Sequence, residues 1–251
     1  MDNTNRFTGL AGHYQSGRPT YPPALLTYLY TTSGLTTDDT VADVGAGTGI
    51  WSEALLRHGN TVYSIEPNND MRRIATDVLR PYNKAHILNG TAEATTLPDH
   101  AVSWVMAAQA FHWFDPQAFR QECLRILIPS GKAGLIWNIR DQSARVHQDS
   151  YDIYQTYCPK FKGFHNGLMH DDSRIQTFFG GPYTYVSFDN PIVYDEDTFI
   201  QRHLSNSYSL RTTDRHYDEF IEALRNLFHR YATAGTVTMP CHTVAYIGSL
   251  Q

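Results

Sequence analysis

Short apolar runs and helical patterns alternate along the first 140 residues of this 251-residue chain. The run "TVADVGA" (40–46) reads as a strand, and Ile50, Trp51, Ala54 and Leu55 then recur at helical spacing up to Gly59, a residue suited to the left-handed end of a helix. "TVYSIEP" (61–67) predicts a second strand ending at Pro67, Asn68 caps a helix reaching about Leu79, and "AHILNG" (85–90) is a third strand. "AVSWVMAAQ" (101–109) is almost continuously apolar, as a strand buried on both faces requires. Asp115 before Pro116 marks a helix start, with Phe119, Cys123 and Leu127 on one face, and "KAGLIWNI" (132–139) is a fifth strand.

After Arg140 the rhythm changes. Short helices are expected near 147–158 and 171–179, and "GGPYTYVSFDNPIVYD" (180–195) reads as one strand. A helix following Asp214 places Tyr217, Phe220, Ile221, Leu224, Phe228 and Tyr231 on one side, and "HTVAYIGSL" (242–250) closes the chain as a strand. No repeat or low-complexity tract interrupts the pattern. Strands joined by helical crossovers build an open, doubly wound α/β sheet.

Composition narrows the partners. A hydrophobic content of 41% at this length supports one domain carrying an insertion. A net charge of −5 with no basic run argues against nucleic acid. No apolar run approaches the roughly 20 residues of a membrane helix, and "MDNTNRFTGL" lacks the blocks of a secretory signal, so a cytoplasmic protein without a membrane partner is expected. Cys123, Cys158 and Cys241 form no CxxC pair, which suggests neither a disulfide framework nor zinc. His165 and His170 with Asp171 and Asp172 match no metal-ligand spacing, and no metal is expected.

The chemistry concentrates in "VADVGAGTGIWSEAL" (41–55). Gly45, Gly47 and Gly49 let the backbone approach a ligand between a strand and a helix N-terminus. A dinucleotide site wants G-x-G-x-x-G, and Ile50 stands where its third glycine belongs. Asp43 would repel a pyrophosphate and attract a cationic ligand.

The pattern D-x-G-x-G-x-G resembles the first motif of the class I S-adenosylmethionine-dependent methyltransferases. Other positions agree with it in order along the chain. Glu66, 23 residues after Asp43, matches the family's acceptor of both ribose hydroxyls. "NGTAEATTLPD" (89–99) resembles the segment near the adenine, with Ala92 and Glu93, and "MAAQAFHWFD" (106–115) resembles the methyl-transfer site, with Gln109 and Phe111. The opening "HYQSGRPTYPPALLTYL" with "QAFHWFD" resembles the small-molecule branch that includes trans-aconitate methyltransferase.

That resemblance implies a Rossmann-like, seven-stranded sheet, mostly parallel with its last strand antiparallel, bearing helical lid insertions. It implies a lid and first helix in 1–35, a cofactor-binding core in 36–140, a substrate-side insertion in 141–182, and C-terminal strands in 183–251 with a helical insertion at 195–235. The cofactor would be S-adenosyl-L-methionine, held by Tyr14, Arg18, Asp43, Gly45, Ala46, Gly47, Gly49, Glu66, Pro67, Met71, Ala92, Glu93, Gln109 and Phe111. The acceptor would be a small molecule, and the protein a monomer or homodimer.

His112 lies beside the expected transfer point as a general base, or as a residue that hydrogen-bonds the backbone and shapes the pocket. Trp113, Arg140, Arg202 and Arg211 are candidates for the acceptor, with His203 beside them; the cations suit an acid, although each taken singly reads more readily as a surface charge. A carboxylate acceptor is ionised at neutral pH and needs no base. Two other readings remain: a non-catalytic sensor or scaffold that keeps the cofactor pocket, and a nicotinamide-dependent oxidoreductase, which Ile50 and Asp43 oppose.

Overall fold

The structure is a computed structural model and describes residues 20–164 and 172–251. Helix α1 (Pro23–Thr31) precedes β1 (Thr40–Val44), α2 (Ile50–Arg57), β2 (Thr61–Ile65), α3 (Asn69–Leu79), β3 (Ala85–Leu88) and β4 (Val102–Ala108). A single 3-10 turn (Phe111–Trp113) leads into α4 (Pro116–Ile126) and the long β5 (Leu127–Arg140). Then come α5 (Arg145–Tyr157), α6 (Ser173–Phe179), β6 (Thr184–Asp189), β7 (Ile192–Tyr194), α7 (Glu196–Leu204), α8 (Tyr217–Tyr231), β8 (Val237–Met239) and β9 (Cys241–Gly248).

Seven strands form one sheet in the order β3-β2-β1-β4-β5-β9-β6. The first five are parallel, and β9, the last strand of the chain, runs antiparallel to β5 on one side and β6 on the other. Alternate residues of the strands feed two cores. Ala42, Val44, Leu135, Trp137, Val244 and Tyr246 face the cluster built on Phe119, Phe178 and Phe179, whereas Val41, Trp104, Ile136, Ala245 and Ile247 face Leu25, Leu29, Trp51, Leu55 and Leu79. A sheet covered on both faces explains the near-continuous apolar strands of the sequence.

The N-terminal caps follow their side chains. Asn68 Oδ1 accepts from Asp70 N and Met71 N at the start of α3, and Asp115 Oδ1 accepts from Gln117 N and Ala118 N at the start of α4.

The stretch 180–195 departs from the single strand expected of it. It breaks at Asn190–Pro191: Asn190 N still donates to Cys241 O at 2.8 Å, Pro191 has no N–H to offer a ladder, and the Asn190 side-chain Nδ2 donates to Thr20 O, Asn138 Oδ1 and Thr243 Oγ1. β6 stays in the large sheet, while β7 leaves to pair with β8 in a separate two-stranded ribbon. This ribbon, with α5, α7 and α8, forms a cap having two small cores of its own, one around Phe199, Leu227 and Phe228 and one around Tyr154, Phe220 and Leu224. Among the described residues no helix is long and apolar enough to cross a membrane.

Candidate functional site

Beyond β1 the backbone turns through Gly45, Gly47 and Gly49 at φ of 73°, 57° and 88°, a left-handed series that residues with a Cβ rarely adopt. Gly45 N and Ala46 N donate to Ile65 O at 2.8 and 3.0 Å, fastening the turn to the end of β2. A Cβ at Gly45 would lie 2.6 Å from the Ala110 Cβ, whereas one at Gly47 would meet nothing within 4 Å. The turn is therefore packed at its base and open at its middle.

Glu66 stands beside that opening. Its Oε2 accepts from Gly47 N and its Oε1 from Asn68 N, both at 2.9 Å. Burial raises its pKa, and these two bonds oppose the rise. Each oxygen has further lone-pair capacity, so the carboxylate is fixed in place and still able to accept from a ligand.

Asp43 is placed differently from expectation. It is 1% exposed and lies beneath the turn, where Ser52 Oγ donates to its Oδ2 at 2.6 Å and Ser64 Oγ donates to Ser52 Oγ at 2.7 Å. Its Oδ1 has no hydrogen-bond partner among the described residues. Burial, with a smaller push from the Glu66 charge, raises its pKa to about 7 against the Ser52 bonds. Asp43 thus acts on the site as a charge behind the wall and presents no open acceptor to the cleft.

At the end of β4, Gln109 adopts φ 59°, a strained conformation for a residue with a side chain, and its N and Nε2 donate to Ile136 O and Asn138 O at 2.8 and 3.3 Å. Strain of this kind marks a position whose surroundings dictate its geometry. In the following turn the Trp137 indole N–H donates to His112 Nδ1 at 3.5 Å, and the Trp113 ring, 38% exposed, packs 4.6 Å from the imidazole.

Phe111, expected against the cofactor, is 1% exposed and packs on Phe119, Trp137 and Phe178; it belongs to the core. Met71 and Ala92 are buried walls, and Pro67 is half-buried with its carbonyl accepting from Arg72. Glu93 is exposed and accepts from Asp115 N at 3.2 Å, tying the segment after β3 to the start of α4. Tyr14, Arg18, His165, His170 and Asp171 lie outside the described residues.

An open glycine turn, a fixed acid ending β2 and a strained residue ending β4 meet at the carboxyl ends of adjacent parallel strands, where open α/β sheets bind ligands. Residues 42–135 match the family model described as a methyltransferase domain. The segment that carries the glycine turn, Glu66 and Gln109 is thus similar to a methyltransferase domain.

Over 144 residues the chain is 39% identical to an uncharacterized methyltransferase of Mycobacterium tuberculosis, a match covering 56% of this chain and 55% of that protein. Over 134 residues it is 33% identical to an uncharacterized methyltransferase-like protein of Schizosaccharomyces pombe, covering 52% and 50%. The chain spans about half the length of these curated relatives.

Among solved structures, one assigned as a type II methyltransferase of Anaeromyxobacter dehalogenans superposes with a TM-score of 0.60 at 22% identity, covering 92% of this chain and 95% of that one. A second, assigned to an antibiotic biosynthesis pathway of Anabaena variabilis, gives 0.61 at 19% identity, covering 92% and 98%. Both share the fold of the methyltransferase domain. None of these matches singles out the trans-aconitate branch.

Above the domain the cap brings two of the predicted cations together. Arg140, the last residue of β5, is half-buried with its guanidinium 4.8 Å from the Phe164 ring centroid. Burial lowers its pKa, and the Arg202 charge lowers it further. Arg202, near the end of α7, donates to Ser205 Oγ and Asn206 Oδ1 at 3.3 and 3.2 Å.

Arg211 stands apart in the turn before α8, its N donating to Asp214 Oδ2 at 2.7 Å. His203 is 4% exposed with Nδ1 on Phe199 O at 2.8 Å, and burial pushes its pKa down to about 3, so it offers no positive charge to an anion. Tyr154, Tyr194, Tyr208 and His147, absent from the sequence-based set, join Arg140 and Arg202 here. They come from separate segments, and only their packing reveals the association. A groove of about 900 Å³ between α7 and α8 contains no residue of the sheet or the glycine turn and is a different feature.

Proposed function

We propose that this protein is an S-adenosyl-L-methionine-dependent methyltransferase acting on a small molecule, with a carboxylate oxygen as the preferred acceptor atom. The observation that carries the reading is Glu66, held between Gly47 N and Asn68 N beside the open middle of the glycine turn. When bound, the cofactor supplies a sulfonium methyl group, whose C–S bond breaks as the acceptor's lone pair forms the new bond, leaving a neutral thioether.

The residues present fit that group. Glu66 keeps acceptor capacity for two hydroxyls, Gly45 to Gly49 allow close backbone approach, Ala92 and Glu93 lie on the segment assigned to the adenine, and the buried Asp43 favours positive charge above it. Gln109, fixed by Ile136 and Asn138, supports alignment at the transfer point, which by itself lowers the barrier by several kcal/mol.

His112 accepts from Trp137 at Nδ1, so its neutral ring carries the proton on Nε2. This supports His112 as a donor that positions an oxygen, and a carboxylate acceptor requires no base. The His112→Ala variant is accordingly expected to raise KM for the acceptor and leave the shape of the pH–rate profile unchanged; loss of one limb of that profile would restore the base.

Calorimetric titration tests the reading directly. The protein should bind S-adenosylhomocysteine and not NAD, and Glu66→Ala should weaken the former roughly ten-fold or more while the fold persists, because a charged acceptor is lost. Binding of NAD alone would replace the assignment with an oxidoreductase. Intact cofactor binding without transfer to any small acid, phenol or amine, read with labelled cofactor, would replace it with a sensor.

A further inference from the structure

Arg140, at the end of β5, and Arg202, in the last turn of α7, are linked by a chain of contacts: Arg140 lies over the Phe164 ring, Phe164 packs edge-on against Tyr154 at 5.8 Å, and the Asn206 side chain donates to the Tyr154 hydroxyl at 2.7 Å and accepts from Arg202 at 3.2 Å. Three phenols lie in the same region: Tyr154 on α5, Tyr208 after α7 with its ring centroid 4.9 Å from that of Tyr154, and Tyr194 ending β7. Arg202 bonds to the Tyr194 hydroxyl as well as to Ser205 and Asn206, and Arg140 lies over Phe164. Both side chains are thereby positioned without an acid. No ion pair among the described residues includes either arginine.

Two guanidiniums drawn together and partly out of water repel each other and lose hydration, an arrangement that an entering anion relieves. The neighbouring imidazoles do not supply further charge: His147 and His203 are 2% and 4% exposed, and burial holds their pKa values near 4 and 3. His147 Nδ1 is buried without a hydrogen-bond partner among the described residues. Planar guanidinium forks match the two oxygens of a carboxylate, and phenol hydroxyls can donate to the same oxygens.

A carboxylate held this way has its lone pairs committed and its basicity lowered, which makes it a poor nucleophile. The clamp is also separated from the transfer point. Gln109 Nε2 bonds to Asn138 O, and Arg140 lies two residues further along β5, about 7 Å at the rise of a strand. We propose that the acceptor is a two-ended anion, with one carboxylate anchored unreacted between Arg140 and Arg202 and a second oxygen nucleophile presented beside Gln109. This deepens the methyltransferase reading and rests on it.

Thermal melting of the full chain with succinate, phosphate or chloride at matched ionic strength tests the clamp, with S-adenosylhomocysteine as a separate arm. Succinate should raise the Tm of the wild type above the chloride control, and Arg140→Met and Arg202→Met should lose that rise while Arg211→Met keeps it. Arg140→Lys, which retains charge without the fork, should keep part of the rise and serves if methionine is not tolerated. Each variant should keep the shift given by S-adenosylhomocysteine.

The proposal is overturned if succinate does not exceed chloride, if its effect survives loss of both forks, or if phosphate alone stabilises. A succinate effect with no response to S-adenosylhomocysteine in the wild type would instead remove the methyl-donor reading and leave the clamp standing. Where labelled cofactor gives transfer to a diacid, the product should stop at the monoester, because the clamp holds the remaining carboxylate; a diester would contradict it.

Discussion

Asp43 shows how one residue can carry the motif and still not do what its spacing suggests. Its pKa of about 7 lies above the roughly 4 of an unfolded aspartate, so between these values the folded chain holds a proton that the unfolded chain releases. Stability from this site therefore falls as pH rises from about 4 to about 7 and is level beyond, a change of at most about 4 kcal/mol. Asp43→Asn keeps an acceptor for Ser52 and cannot ionise. Urea unfolding should show the variant gaining on the wild type between about pH 4 and pH 7; an unchanging difference would mean that Asp43 ionises as an ordinary carboxylate. The acid and the glycines were legible from spacing alone, whereas the inward turn of the carboxylate depends on Ser52 in α2 and Ser64 in β2, partners that no local pattern announces. Phe111 fails for a related reason: "AFHWF" looks like a pocket wall in sequence, and only the packing of α4 and α6 shows that its first aromatic ring is core.

The glycine turn, taken as an element, separates packing from ligand space. Gly45→Ala meets the Ala110 Cβ at 2.6 Å and the Phe114 ring at 3.0 Å, in addition to left-handed strain, and should cost roughly 3 kcal/mol of stability. Gly47→Ala meets nothing and carries only the strain, roughly 1 kcal/mol. If the open space belongs to the cofactor, Gly47→Ala should nonetheless weaken S-adenosylhomocysteine about ten-fold, whereas an affinity equal to the wild type's would show that the ligand does not approach this part of the turn. Denaturation and calorimetry on the two variants give the comparison. Elements of this kind could be read because parallel strands buried on both faces are apolar throughout and their ends carry glycine, proline and capping acids. The cap was harder to read. β7 and β8 are three residues each, too short for a period of two to register, and α7 buries only Phe199 and His203.

At the scale of the whole molecule, the proposed cofactor and acceptor halves of the site rest on different cores. The glycine turn and Glu66 are supported by the sheet and its two flanking clusters, while Tyr154 shares its cluster with Phe220 and Leu224 of α8. Leu224 is fully buried there, so Leu224→Ala should cost about 2–5 kcal/mol. The damage should be directional: the Arg140–Arg202 pair, which Tyr154 and Asn206 link, should lose its succinate response, with S-adenosylhomocysteine affinity kept within about two-fold, less than 0.5 kcal/mol. Leu55→Ala, on the buried face of α2 behind the glycine turn, should do the reverse. Measured together under conditions where both variants remain folded, the pair distinguishes two arrangements. Opposite losses mean that the sheet binds the methyl donor independently and the cap adds acceptor choice to it. Parallel losses mean that cap and sheet stand or fall together, so that Glu66 and the arginine pair are two ends of one cooperative site.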